Sequence, residues 1–139
     1  MKTVSEALKA FKDSGAKYLD LRFTDVKGKW QHLTMDGTVV DEDLLSNGVF
    51  FDGSSIAGWK AINESDMVLK PDLSTTVMDP FTAQPTMMIF CDILDAVTKE
   101  PYERDPRGTA KKAEEYVKSS GVGDTVYVGP ASWVIDHAA

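Results

Sequence analysis

The sequence predicts an α+β fold, and three observations carry that expectation. A capped, helix-period segment opens the chain, two period-two segments follow around Lys27-Gly28-Lys29, and a further helix-period segment begins behind Asp105-Pro106. Apolar residues at 42% against 27% charged are enough to bury a core, which excludes a disordered or fibrous chain.

The first helix is announced by Thr3-Val4-Ser5-Glu6, in which the Thr hydroxyl and the Glu carboxylate satisfy backbone amides that a helix start leaves unpaired. Val4, Ala7, Leu8 and Phe11 then recur at helical spacing, and Gly15 stands where a helix stops. Leu19, Leu21 and Phe23 alternate with Asp20, Arg22 and Thr24, the pattern of a half-buried strand with its polar residues outward. Trp30 to Met35 returns with the same period. Asp41 caps a short helix that presents Leu44 and Leu45 inward and ends at Asn47-Gly48.

From Asp52 to Asn63 small residues and two glycines mark a long loop, and loops of that length in a compact domain are commonly functional. Met67 to Leu69, Ser74 to Met78 and Thr86 to Ile93 read as strands, split by Lys70-Pro71-Asp72 and Asp79-Pro80-Phe81. Two prolines and five charges between Glu100 and Arg107 place a domain boundary there, giving 1–104 and 105–139. Pro106 opens a helix over 106–119 with Ala110, Ala113, Tyr116 and Val117 on one stripe, and Asp124 to Val128 starts a further strand. There is no internal repeat.

With 15 basic against 22 acidic residues and a net charge of −7, the chain lacks the basic footprint of nucleic-acid binding or of docking to anionic lipid. No apolar run approaches the roughly 18 residues of a spanning helix, and the N-terminus lacks the apolar stretch of a signal peptide. A cytoplasmic protein is expected. The single cysteine, Cys91, lies in an apolar strand and reads as an inert core thiol, excluding an intrachain disulfide or a zinc-cysteine cluster.

No phosphate-binding glycine loop, CxxC or HExxH is present, and His32 and His137 have no partner at metal-ligand spacing. His32 reads as a hydrogen-bonded or surface residue, and Trp30 and Trp59 as packing residues. Asp52-Gly53-Ser54-Ser55 has two readings. It is either a plain turn, or a carboxylate and a hydroxyl held on a short loop for a small cation such as ammonium. Glu64 and Asp66 add acids close by, at a spacing unspecific for a metal.

Taken together, the segments resemble the N-terminal part of bacterial type I glutamine synthetase. The resemblance rests on Tyr18 to Asp25 with Lys27-Gly28-Lys29, Phe51 to Lys60 (FDGSSIAGWK), Ile62 to Met67 (INESDM) and Met78 to Phe81. It continues through Cys91-Asp92-Ile93, Tyr102 to Arg107, and Asp124 to Pro130. It implies a β-grasp N-terminal domain followed by the start of a catalytic α/β domain. It also implies ATP-dependent ligation of ammonia to glutamate, in which this domain lends its Asp-Gly-Ser-Ser loop to a neighbouring subunit. On that pattern Asp52 is the catalytic, ammonium-binding acid, Ser55 binds beside it, and Asp66 is an acid of the neighbouring loop.

After Pro130 the sequence departs from the family, because Ala131 to Ala139 holds neither glutamate of the family's metal-binding strand. The expectation is therefore a truncated chain, inactive alone, that binds no cofactor itself, with Mg or Mn and ATP held by the parent enzyme. Its expected partners are further copies or full-length glutamine synthetase subunits. A non-catalytic partner or decoy at a synthetase interface is the alternative, and a free β-grasp binding module the third. Tyr116, Val117, Val126 and Val128, left without a covering sheet, are expected to drive self-association.

Overall fold

The computed structural model describes residues 3–56, 58, 59 and 66–127. Helix α1 (Val4–Asp13) carries the expected reciprocal cap. Glu6 N donates to Thr3 Oγ1 at 3.2 Å and Thr3 N donates to Glu6 Oε2 at 2.7 Å. Its buried face is Ala7 and Phe11. Strands β1 (Tyr18–Thr24) and β2 (Trp30–Asp36) pair antiparallel. The turn between them is held by Asp25, whose Oδ1 accepts from both Lys27 N and Lys29 N at 2.9 Å.

Helix α2 (Glu42–Asn47) starts at Asp41, which accepts from Leu44 N at 2.8 Å, and buries Leu44 and Leu45. Gly48 then redirects the chain with φ of +83°, and a Cβ there would stand 2.2 Å from Leu69 O. Only glycine fits. The chain continues into β3 (Val49–Asp52), β4 (Asp66–Pro71), the two-residue β5 (Val77–Met78) and the ten-residue β6 (Thr86–Asp95). Helix α3 (Pro106–Ser119) follows.

The sheet order is β2-β1-β6-β4-β3, with β5 also on β6, and β1 runs parallel to β6 while the other pairs are antiparallel. Leu19, Leu21, Met67, Leu69, Ile89 and Ile93 come from the three central strands and join Phe11 and Leu45 in one core cluster. Each such side chain stabilises the fold by about 1.5–3 kcal/mol on burial.

Four expectations change. Strand β3 is an element that the sequence reading places in no strand. Residues 73–75 form a 3-10 turn rather than a strand, because Asp72 Oδ1 accepts from Ser74 N and Oγ and bends the chain. Asp20 is buried at 4% exposure, although alternation puts it outward. It does lie on the outer face, but Arg22, His32 and Thr34 fold over it. Residues 124–127 form no strand, and Val128 and the residues after it lie outside the described ones.

The chain divides into two compact units, Met1–Thr109 and Ala110–Ala139. None of the residues of α3 is buried, and Tyr116 is 71% exposed, so its apolar stripe is uncovered. No helix among the described residues is long and apolar enough to cross a membrane.

Candidate functional site

Asp52 is the last residue of β3, an edge strand, and both it and Ser55 are exposed. Its Oδ1 accepts from Ser54 N at 2.9 Å and from Ser54 Oγ at 2.6 Å, and this closes the 3-10 turn Gly53–Ser55. The plain turn read from the sequence is therefore present. The turn also fixes the carboxylate's orientation, so it does not compete with a binding role. The hydroxyl on Asp52 Oδ1 is that of Ser54.

Across the β3–β4 ladder Asp52 pairs with Asp66, also exposed. Directly opposed side chains stand about 5 Å apart at Cβ, close enough for two carboxylates to act on one cation. Glu64 and His137, the other ionisable candidates, lie outside the described residues. Beyond the turn, Ile56 N donates to Gly53 O at 3.1 Å and Trp59 N to Ile56 O at 3.2 Å. Trp59 is buried against Phe23, Phe51 and Tyr102, at centroid separations of 5.7, 6.2 and 5.4 Å.

A second polar group lies on the same sheet face near the β2 end. Asp20 accepts from Arg22 Nε at 2.7 Å and Thr34 Oγ1 at 2.7 Å, with His32 Nδ1 at 2.8 Å. Burial pushes the Asp20 carboxyl upward, but the bonds from Arg22, His32 and Thr34 outweigh it and hold the group below its ordinary value. Arg22 also reaches Asp79. Asp20, Arg22, Trp30, His32 and Thr34 line a cleft of about 330 Å³ together with Thr82 and Thr86. Trp30 is 57% exposed and meets Phe90 edge-on at 5.1 Å, so it is a surface aromatic and not a core one. His32 is hydrogen-bonded and exposed, as expected.

A third group ties the start of α3 to the sheet. Arg107 reaches Asp72 and, at 3.2 Å, Asp92. Burial raises Asp72, yet Ser74 and Arg107 overcome it and bring the carboxyl to about 2. Asp105 accepts from Ile93 N at 3.3 Å and Arg107 N at 3.0 Å while burial pushes its carboxyl upward. Cys91 is buried and burial raises its thiol, as an inert core cysteine requires. Among the described residues no group of three or more His, Cys, Asp or Glu side chains is placed to hold a metal.

The family model for the glutamine synthetase β-grasp domain matches residues 15–96, which span β1 through β6 and contain the whole Asp52 turn. The chain belongs to the glutamine synthetase family. It is 68% identical over 130 residues to a glutamine synthetase of Rhizobium meliloti and 64% identical over the same length to one of Bradyrhizobium diazoefficiens. Each alignment takes in 94% of this chain and 28% of the relative, so the chain spans little more than a quarter of the length of these glutamine synthetases. A Plasmodium falciparum glutamine synthetase structure superposes with a TM-score of 0.77 over 87% of this chain and 23% of that one, at 24% identity, a likeness of fold. The α+β, β-grasp expectation for this glutamine synthetase domain holds.

Proposed function

We propose that this chain provides the ammonium side of a glutamate–ammonia ligase site, with Asp52 as the catalytic acid and Ser55 as a binding residue beside it. The observation that carries this reading is the placement of Asp52. Its carboxylate is oriented by Ser54 and exposed at the end of an edge strand, opposite a second carboxylate, in a chain of the glutamine synthetase family.

The physics asks for a partner. A carboxylate 4 Å from ammonium contributes about 1 kcal/mol in water and about 4 kcal/mol at the effective dielectric of a covered protein surface. Exposed as it is here, Asp52 would hold ammonium weakly. Covered by a neighbouring subunit it would hold the cation firmly and accept the proton that ammonium must lose before nitrogen attacks an activated γ-carboxyl. The glutamate, ATP and Mg²⁺ or Mn²⁺ are assigned in this reading to the remainder of a full-length enzyme. In domain terms, 1–104 is the β-grasp part and 105–139 the beginning of the catalytic part, and a cytoplasmic oligomer is its setting.

The 139-residue chain alone should show no ATP turnover dependent on glutamate and ammonium. Turnover by the chain alone that disappeared in Asp52→Ala would overturn this assignment. The uncovered stripe of α3, with Tyr116 outward, supports a second reading in which the chain is a non-catalytic partner at a synthetase interface. Failure to co-elute with a co-expressed full-length glutamine synthetase would remove it.

A further inference from the structure

The Asp52 turn is short, with Asp52 and Ser55 exposed and Gly53 buried, and it leads within a few residues to a buried anchor. Two consecutive backbone hydrogen bonds, Ile56 N to Gly53 O and Trp59 N to Ile56 O, link the turn to Trp59. The Trp59 indole is 7% exposed and seated among Phe23, Phe51 and Tyr102. Its Nε1–H finds no acceptor among the described residues. A buried donor without an acceptor is unfavourable, so shape and ring packing, not a hydrogen bond, keep the indole there. One residue earlier, Gly58 O accepts from Arg104 Nη1 at 2.9 Å, a contact spanning 46 positions of sequence. Gly58 has φ of +87°, so the bend presenting that carbonyl suits glycine.

We propose that Arg104 and Trp59 are positioning residues for the Asp52 turn. Trp59 plugs the loop into the aromatic cluster and Arg104 clamps the carbonyl beside it, so that the far end of the turn is fixed as firmly as β3 fixes its near end. The consequence for chemistry rests on the ammonium reading above. A carboxylate that must meet a small cation in a neighbouring subunit's site loses effect with displacements near 1 Å. Neither residue touches the substrate in this scheme, and neither is a catalytic residue.

The test has two arms. In the 139-residue chain, amide exchange is followed at Ile56 and Trp59, with Leu21 and Ile89 as sheet references. Arg104→Met is expected to speed exchange at Ile56 and Trp59 about tenfold and leave the references unchanged. Arg104→Lys, which retains a donor, restores most of the protection. Unchanged exchange at Ile56 and Trp59 would overturn the proposal, as would an equal rise at Leu21 and Ile89, which marks general loosening.

The second arm uses a hybrid in which residues 1–127 replace the matching stretch of the Rhizobium meliloti glutamine synthetase. There Arg104→Met should raise KM for ammonium about tenfold while KM for glutamate stays within about twofold, with Arg104→Lys between. An ammonium KM that does not move overturns the positioning role in catalysis. Asp52→Asn in the same hybrid separates the two claims. If it leaves ammonium KM unchanged the ammonium reading fails, whereas the exchange result judges the anchor by itself.

Discussion

Asp52 and Asp66 face each other across the antiparallel ladder of β3 and β4, two acids in direct register on an exposed sheet edge. Like charges placed directly opposite destabilise a strand pair, so the arrangement has a standing cost of a few tenths of a kcal/mol. Asp66→Asn is expected to stabilise the isolated chain by about 0.5 kcal/mol at low salt, and less as salt screens the pair. Urea unfolding at two ionic strengths measures both effects. A loss of stability would mean that Asp66 makes a favourable contact outweighing the repulsion.

Acid should unfasten the start of α3. The Asp72 carboxyl is held at about 2, below the ordinary carboxylate value, so its stabilisation is fully present above about pH 4 and is lost as pH falls towards 2. With the side chain 23% exposed, the amount is on the order of 2 kcal/mol. Stability followed from pH 5 to 2 in Asp72→Asn should be flatter than in the native chain. Equal slopes would contradict the ion group around Arg107.

Gly48→Ala should be among the most damaging single changes. The new Cβ meets Leu69 O, and the backbone at φ +83°, ψ −169°, a region open essentially to glycine alone, itself costs an alanine about 1–3 kcal/mol. A loss exceeding about 2 kcal/mol in urea unfolding is expected, since β4 backbone must shift to admit the methyl group.

Trp59 gives a graded pair. Trp59→Ala removes the aromatic plug and should cost about 3–5 kcal/mol, whereas Trp59→Phe keeps a ring in the cluster and also deletes the buried donor that has no acceptor among the described residues. The phenylalanine variant should therefore retain most of the stability. Equal losses in the two variants would show that the indole N–H, not the ring, holds the site.

Much of this architecture was legible because local chemistry and tertiary role coincide. The Thr3–Glu6 cap, the Asp41 cap and the Asp105-Pro106 helix start each satisfy their own backbone, and the structure keeps all three. Strand β3 escaped because it is four residues long and its adjacent phenylalanines, Phe50 outward and Phe51 inward, blur the period of two. The apparent strand at Ser74 failed because Asp72, a turn-forming acid, captures the Ser74 amide first. Asp20 broke the alternation rule by tertiary pairing, which no spacing reveals, since Arg22, His32 and Thr34 neutralise and cover it.

The candidate site shows the same division. Asp52 and its turn are readable from Asp-Gly-Ser-Ser, but which serine hydroxyl reaches the carboxylate is not, and it is Ser54. The cross-strand placement of Asp66 depends on the unforeseen β3. The contact between Arg104 and Gly58 joins segments 46 positions apart, beyond the reach of any local pattern.

The most direct test of the central claim is the ammonium dependence of glutamine formation by the hybrid carrying residues 1–127, with and without Asp52→Ala. Asp52→Ala is expected to lower kcat/KM for ammonium about 100-fold, a loss near 2.7 kcal/mol of transition-state stabilisation, while KM for glutamate stays within about twofold. An ammonium kcat/KM unchanged in Asp52→Ala, in a hybrid that remains assembled and active, would contradict it.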